Sequence, residues 1–185
     1  MGAVYLSNMA EQISAKRVVG ATWGIIGVTL ILSSAILRVS PKAADAFRVG
    51  LSPTQWIILV VWVVLMLVGE GYRGFQLNFA PRVAARMWYL SKHGSARDLW
   101  LAPLFCVGYY GASRRRIISS WSLTVVVTLI IVVVAHIAQP WRGIIDFGVA
   151  AGLIYGLICV FYSVWQTVRS KRYLVKPDVL LNPSL

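Results

Sequence analysis

Two histidines and two cysteines are all that the 185 residues supply of the side chains that most often bind transition metals or act as nucleophiles. His93 and His136 are too few for a multi-histidine metal centre, and neither has an obvious nucleophile beside it in sequence. Cys106 and Cys159 each sit within an apolar segment, without metal-ligand spacing or a disulfide framework, so both read as small hydrophobes. No metal and no cofactor is expected. No strand pattern is evident, so no glycine loop follows a strand to cradle a nucleotide. Charge is also missing from the middle of each long apolar run, where only weak polar groups such as Thr29 and Thr128 occur. Secondary transporters usually place substrate and coupling-ion sites near the midplane, frequently with ionisable residues, so this pattern speaks against proton-coupled transport.

What the chain has in abundance is apolar length. Hydrophobic residues make up 58% of the sequence and charged residues 13%, and the mean hydropathy is +0.73. That composition belongs in lipid, where runs of about 20 apolar residues match a hydrocarbon core of roughly 30 Å. The formal charge is +12, from eighteen Lys and Arg against six Asp and Glu. No long basic stretch stands free of the apolar runs, so this charge reads as flanking charge and attraction to anionic headgroups, and nucleic acid is not an expected partner. Met1 and Gly2 resemble a myristoylation start, but Leu6 stands where Ser or Thr is wanted. The apolar stretch after Lys16 and Arg17 is too long for a typical signal core and lacks a convincing cleavage site, so it reads as an uncleaved first helix.

Four stretches are long enough to span: Val18 to Leu37, Pro53 to Tyr72, Ile117 to Ala138 and Gly143 to Val168. Ser52 and Pro53 provide an N-cap and a first-turn proline for the second, with Trp56 placed for an interfacial aromatic belt. The short link Gln139-Pro140-Trp141-Arg142 predicts an antiparallel hairpin of the third and fourth. A fifth apolar stretch, Leu99 to Ser113, is short and interrupted by Pro103, Gly108 and Gly111. If it does not cross, only Arg38, Lys42, Arg48 and Arg142 of the eighteen Lys and Arg lie outside. If it crosses, the triplet Arg114 to Arg116 and the basic tail move outside and the positive-inside rule fails. The reading is therefore an all-α integral membrane protein with four transmembrane helices, and 99–113 as a re-entrant or interfacial element on the cytoplasmic side.

The organisation that follows is a cytoplasmic N-terminus at 1–17, one membrane domain over 18–168 and a basic cytoplasmic tail over 169–185, loose from Arg172 through Asn182 and Pro183. Within the interfacial region 77–113, a helix opening at Pro81 places Arg82, Arg86, Tyr89 and His93 on one side and Val83, Met87 and Leu90 on another. It reads as an amphipathic helix on the inner leaflet, or alternatively as a loop helix packed on its neighbours. Arg82, Arg86, Lys92, Arg114, Arg115 and Arg116 are the expected headgroup-binding cations. Size and the lack of a targeting segment point to a bacterial inner membrane.

Three groups of residues are candidates for more than solubility in lipid. Gly20, Gly24 and Gly27 on the first helix and Gly148, Gly152 and Gly156 on the fourth form small-residue stripes suited to close helix packing, within the chain, with a second copy or with another protein. Glu70, Arg73 and Gln76 follow the apolar core of the second helix among glycines. A carboxylate so near hydrocarbon is costly unless paired, and Arg73 at i+3 is the local partner expected for Glu70. His136, Arg142 and Asp146 flank the hairpin turn and would form one polar cluster at the outer interface.

These residues point to a non-enzymatic accessory or scaffold subunit that binds anionic lipid and a membrane partner or another copy of itself. One alternative is a small transporter or channel component using Glu70 or Asp146. Another is an interfacial lipid-modifying enzyme, which requires Glu70 and Arg73 to converge with Asp98 or the arginines.

Overall fold

The structure is a computed structural model that describes residues 2–179, with side chains from residue 15 onward. Asn182 and Pro183 of the expected tail, and the side chains of the N-terminal segment that includes Leu6, lie outside the described residues. Among the described residues the chain is all-helical, 84% helix without strands, and four helices are long and apolar enough to cross a membrane. The elements run α1 (Gly2–Val49), α2 (Pro53–Met66), a π-helical stretch (Leu67–Phe79), α3 (Ala80–His93), α4 (Ala96–Trp100), α5 (Ala102–Val107), α6 (Arg114–Ala135) and α7 (Trp141–Ser170).

Local chemistry sets several of these boundaries. Ser52 caps α2 reciprocally with Gln55: its hydroxyl accepts from the Gln55 N–H, and the Gln55 side chain accepts from the Ser52 N–H at 2.9 Å. Pro53 then costs nothing, because its missing N–H would have had no partner in the first turn. Ser95 and Asp98 repeat the device at α4. Gly108 ends α5 at φ +96°, and Gly111 at φ +66° completes the return toward α6, both in the left-handed region where glycine carries no Cβ penalty.

Two helices extend beyond the apolar runs that define them. The first does not stop at Leu37 but continues to Val49 through Pro41, which removes only the hydrogen bond to the Leu37 carbonyl. The added turns are held by packing: Ala43 and Ala46 are buried, and an added Cβ on Gly143 of α7 would overlap Ala46. The second runs without a break from Pro53 to His93, so α3 is the continuation of the second span, and its residues Ala80, Val83, Ala84, Ala85, Arg86, Met87 and Leu90 are buried.

The intervening π-helical stretch contains Gly69, Gly71 and Gly74. Wide π turns usually occur singly, and thirteen residues of them is long. The Asn78 side chain donates to the Arg73 carbonyl at 2.7 Å, five residues back, in the period of that turn.

α7 is the hub of the bundle, touching α1, α2, the π-helical stretch and α3. α6 stands apart: 6% of its most apolar stretch is buried, against 44% in α7. The heights of the helices are fixed at both ends. At one end Phe47 stacks within 5.6 Å of Trp56, and the Gln139 side chain donates to the Lys42 carbonyl at 3.1 Å. At the other, Arg17 donates to the Lys92 carbonyl at 2.8 Å, Ser113 donates to the Asp178 carboxylate at 3.3 Å, and Ala112 bridges Val179. Residues 94–113 thus leave and rejoin the same end of the bundle. Within it α5 lies on α1 as far along as Gly27, ten residues from Arg17 or about 15 Å.

Candidate functional site

The glycine stripes are occupied by the chain's own elements. On α1, an added Cβ at Gly20 would collide with the Leu99 side chain, at Gly24 it would meet the Cys106 Sγ at 2.8 Å, and at Gly27 the ring of Pro103. This stripe is the seat of α4 and α5. On α7, an added Cβ at Gly148 would meet Trp62 and Met66, at Gly152 the Glu70 carboxyl at 3.1 Å, and at Gly156 the Phe75 ring. Both stripes serve intramolecular packing, so a partner would have to meet other surfaces. Trp62 Nε1 also donates to the Ile145 carbonyl at 3.2 Å, which ties α2 to α7 where the stripe begins.

Glu70 comes to lie against the middle of the fourth span. Gly152 is nine residues from Gly143 and sixteen from Val168, well inside the apolar run of α7. The middle of each span taken alone is charge-free, and packing sets the Glu70 carboxyl against the apolar run of α7. Glu70 does not pair with Arg73: among the described residues the ion pairs are Arg48–Asp45 at 3.2 Å and Arg142–Asp146 at 3.7 Å. The expected i+3 contact assumes α-helical turns, and both residues lie in the π-helical stretch, where that register is lost. Arg73 is exposed. Gln76 accepts a hydrogen bond from the Tyr155 hydroxyl, and the Tyr155 ring covers Gly71. Glu70, Gln76 and Tyr155 thus line one side of the α7 contact. Asp98 is held elsewhere by Ser95 and Tyr110, so the carboxylates do not converge as an interfacial enzyme would require.

Around the turn between α6 and α7 the expected cluster is only partly assembled. Asp146 is buried beside Arg142, whose Nη1 also donates to the Ala135 carbonyl at 3.2 Å. His136 is not part of it: its Nδ1 is 2.8 Å from the Val132 carbonyl on its own helix.

The largest departure concerns Arg86, expected to bind headgroups. It is 2% exposed, and its guanidinium donates to the carbonyls of Phe105 at 2.6 Å, Tyr110 at 2.9 Å and Asp178 at 3.2 Å. It also lies 4.3 Å over the Phe105 ring. The planar fork of an arginine can reach three acceptors in different directions, and here it ties α3 to the end of α5, the following turn and the tail. Tyr89 stacks on Phe105 beside it. The stripe read as facing lipid is in this part the seat of α5. The sequence carried one sign of this: Arg86 lies three residues after Val83 and four before Leu90, in the stripe that packs.

The other basic candidates remain at the surface of this end. Lys92, Arg114 and Arg115 are exposed, with the Lys92 ammonium 5.0 Å over the Trp88 ring. Arg82 and Arg116 are half-buried; Arg82 donates to Asn78 at 3.3 Å, and Arg116 lies beside Gly108. Tyr110, which the sequence did not single out, donates to Asp98 at 3.1 Å, and burial together with that carboxylate raises its phenol above the ordinary range. Burial likewise pushes the Cys106 thiol up to about 12, which leaves it an inert part of the core.

No group of three or more potential metal ligands occurs among the described residues. No protein-family model matches the chain, and no curated protein and no solved structure matches it either.

Proposed function

We propose that this chain is a non-enzymatic, multi-pass membrane protein, an accessory or scaffold subunit whose basic end holds anionic headgroups and whose lipid-exposed helices meet a membrane partner or a second copy. The observation that carries this reading is the separation of charge. Both ion pairs found among the described residues lie at the end of Phe47 and Gln139. At the opposite end, the carboxylates of Asp98 and Asp178 accept from Ser95, Tyr110 and Ser113. The cations there have no carboxylate within ion-pair distance among the described residues, and anionic lipid is the abundant counter-charge in a bilayer.

On this reading the basic end is cytoplasmic, as the positive-inside rule directs, in a bacterial inner membrane with both termini inside. Residues 99–113 form a re-entrant or interfacial element, a reading supported by the common end at which they depart and rejoin and by the short helices α4 and α5 packed on α1. Arg82 and Lys92 give α3 a polar edge toward the inner leaflet. The surface offered to a partner is α6, whose apolar side chains the rest of the chain leaves exposed.

Purification from native membrane in mild detergent, with identification of retained lipids and proteins, tests the reading. Retained anionic lipid and a partner or second copy lost on replacing Leu129, Ile130 and Val133 with alanine are the expected outcome. A lipid-free monomer with no partner in native nanodiscs would overturn it.

A second reading, a small transporter or channel component, is favoured by one observation, the Glu70 carboxyl against Gly152 in the middle of α7. In that case Glu70→Gln would abolish an ion or proton flux in proteoliposomes; wild-type liposomes that carry no flux remove the reading.

A further inference from the structure

The basic end carries an open cavity of about 290 Å³ between α1 and α4, lined by Lys16, Val19, Gly20 and Trp23 and by Leu99 and Trp100. The four α1 residues recur at i, i+3, i+4 and i+7, so a single helix face forms one wall. Gly20 is its floor, where the Leu99 side chain lies directly on the helix backbone. Trp23 Nε1 donates to the Trp100 carbonyl at 3.4 Å and links the two walls. The Trp100 ring itself is 85% exposed, the largest value among the exposed large hydrophobics of the described residues. An indole left bare beside cations is the arrangement found where hydrocarbon meets headgroups.

One residue lining this apolar crevice, Lys16, is cationic. Lys16 is exposed at its edge, and the exposed Arg97 stands one turn before Trp100 on α4. Neither has a carboxylate within ion-pair distance among the described residues, because Asp98 is engaged by Ser95 and Tyr110. An apolar floor, a bare indole, a lining lysine and an exposed arginine one turn before that indole together match a molecule with a hydrocarbon body and a negative head.

We infer that this crevice binds one anionic phospholipid of the leaflet at the basic end. Its phosphate lies between Lys16 and Arg97, and the upper part of an acyl chain lies over Gly20 between Trp23 and Trp100. The charge selects against zwitterionic lipids, whose own ammonium competes for the phosphate. The inference rests on the reading of the basic end as a lipid-binding face and assigns that binding to one place.

The test is native mass spectrometry of the full chain in detergent, titrated with phosphatidylglycerol or phosphatidylcholine. The wild type retains one phosphatidylglycerol more tightly than the rest and more tightly than any phosphatidylcholine. Lys16→Gln and Arg97→Gln each weaken that first lipid about fivefold, the change given by about 1 kcal/mol per cation near an anionic surface. Trp100→Ala, at an exposed position that leaves the fold intact, removes the preference for a single first lipid. Arg172→Gln with Lys176→Gln, at the same end but away from the crevice, leaves the first lipid in place. If that double variant weakens the first lipid as much as Lys16→Gln does, or if the crevice variants change nothing while it does, the crevice assignment is overturned and the basic-end reading stands. If wild type and every variant hold the two lipids equally, both fall.

Discussion

Gly156 offers the sharpest test of the packing described here. A methyl group added there would lie well inside contact distance of three carbons of the Phe75 ring. That ring has little room to retreat, since Phe79 meets it edge-on with centroids 5.4 Å apart. Overpacking of this kind costs about 1–3 kcal/mol. Alanine also gains about 1 kcal/mol of helix propensity over glycine, which would mask part of the cost. Gly69 supplies the comparison, because nothing lies within 4 Å of the Cβ it would acquire. The difference between Gly69→Ala and Gly156→Ala removes the propensity contribution and leaves the collision, about 2 kcal/mol. For a chain of this size that is about 4–8 °C in Tm. Tryptophan fluorescence during thermal unfolding in mild detergent measures it, and Phe75→Leu in the Gly156→Ala background should recover part of the loss. Equal Tm values for the two alanine variants would refute the packing of the π-helical stretch on α7.

Two further perturbations probe the basic end. Arg86→Lys keeps the charge but has no planar fork to reach three carbonyls, and should lower stability by about 3 kcal/mol, with early proteolytic cutting between Gly108 and Ser113; an unchanged cutting pattern would contradict the tie. Tyr110 binds its proton more tightly in the folded chain than when unfolded, so its contribution is complete below about pH 10 and is lost as pH rises further. Stability curves of wild type and Tyr110→Phe should therefore converge above pH 10, and parallel curves would show that the Tyr110–Asp98 contact carries no such linkage.

The four long apolar helices, the caps at Ser52 and Pro53 and the short turn at Pro140 could be read from the chain because each depends on neighbours in sequence, whereas the expected close pairing of α6 with α7 is not seen, α6 standing apart. Apolar length, a proline and a flanking charge are local signals. The extension of α1 to Val49 was hidden because Arg38 and Pro41 look like a boundary, whereas Ala43 and Ala46 are kept helical by α7, a partner about a hundred residues away. The π-helical stretch was hidden for a related reason. Its glycines permit a wide turn, but Gly152, Tyr155 and Gly156 give that turn something to pack on. Glu70 and Arg73 were paired by α-helical arithmetic that the wider turn cancels. Arg86 reads as a headgroup-binding cation because charge outweighs its place in the Val83 and Leu90 stripe, and no local pattern announces three backbone carbonyls waiting in other segments.

The alignment of Phe47 with Trp56 has a consequence for the surrounding bilayer. From Trp56 to Val68 the second helix advances about 18 Å, which brings it level with the Leu37 end of the Val18–Leu37 run. The greasy bands of the first two spans therefore meet nearly end to end along the bundle and do not lie side by side. A flat hydrocarbon layer of about 30 Å cannot wet both fully without also enclosing Arg38 and Lys42 on one flank and Glu70 and Arg73 on the other. Apolar side chains thus stand at different heights on the faces that carry the first and second helices, an offset too large for tilt alone to level between neighbouring helices.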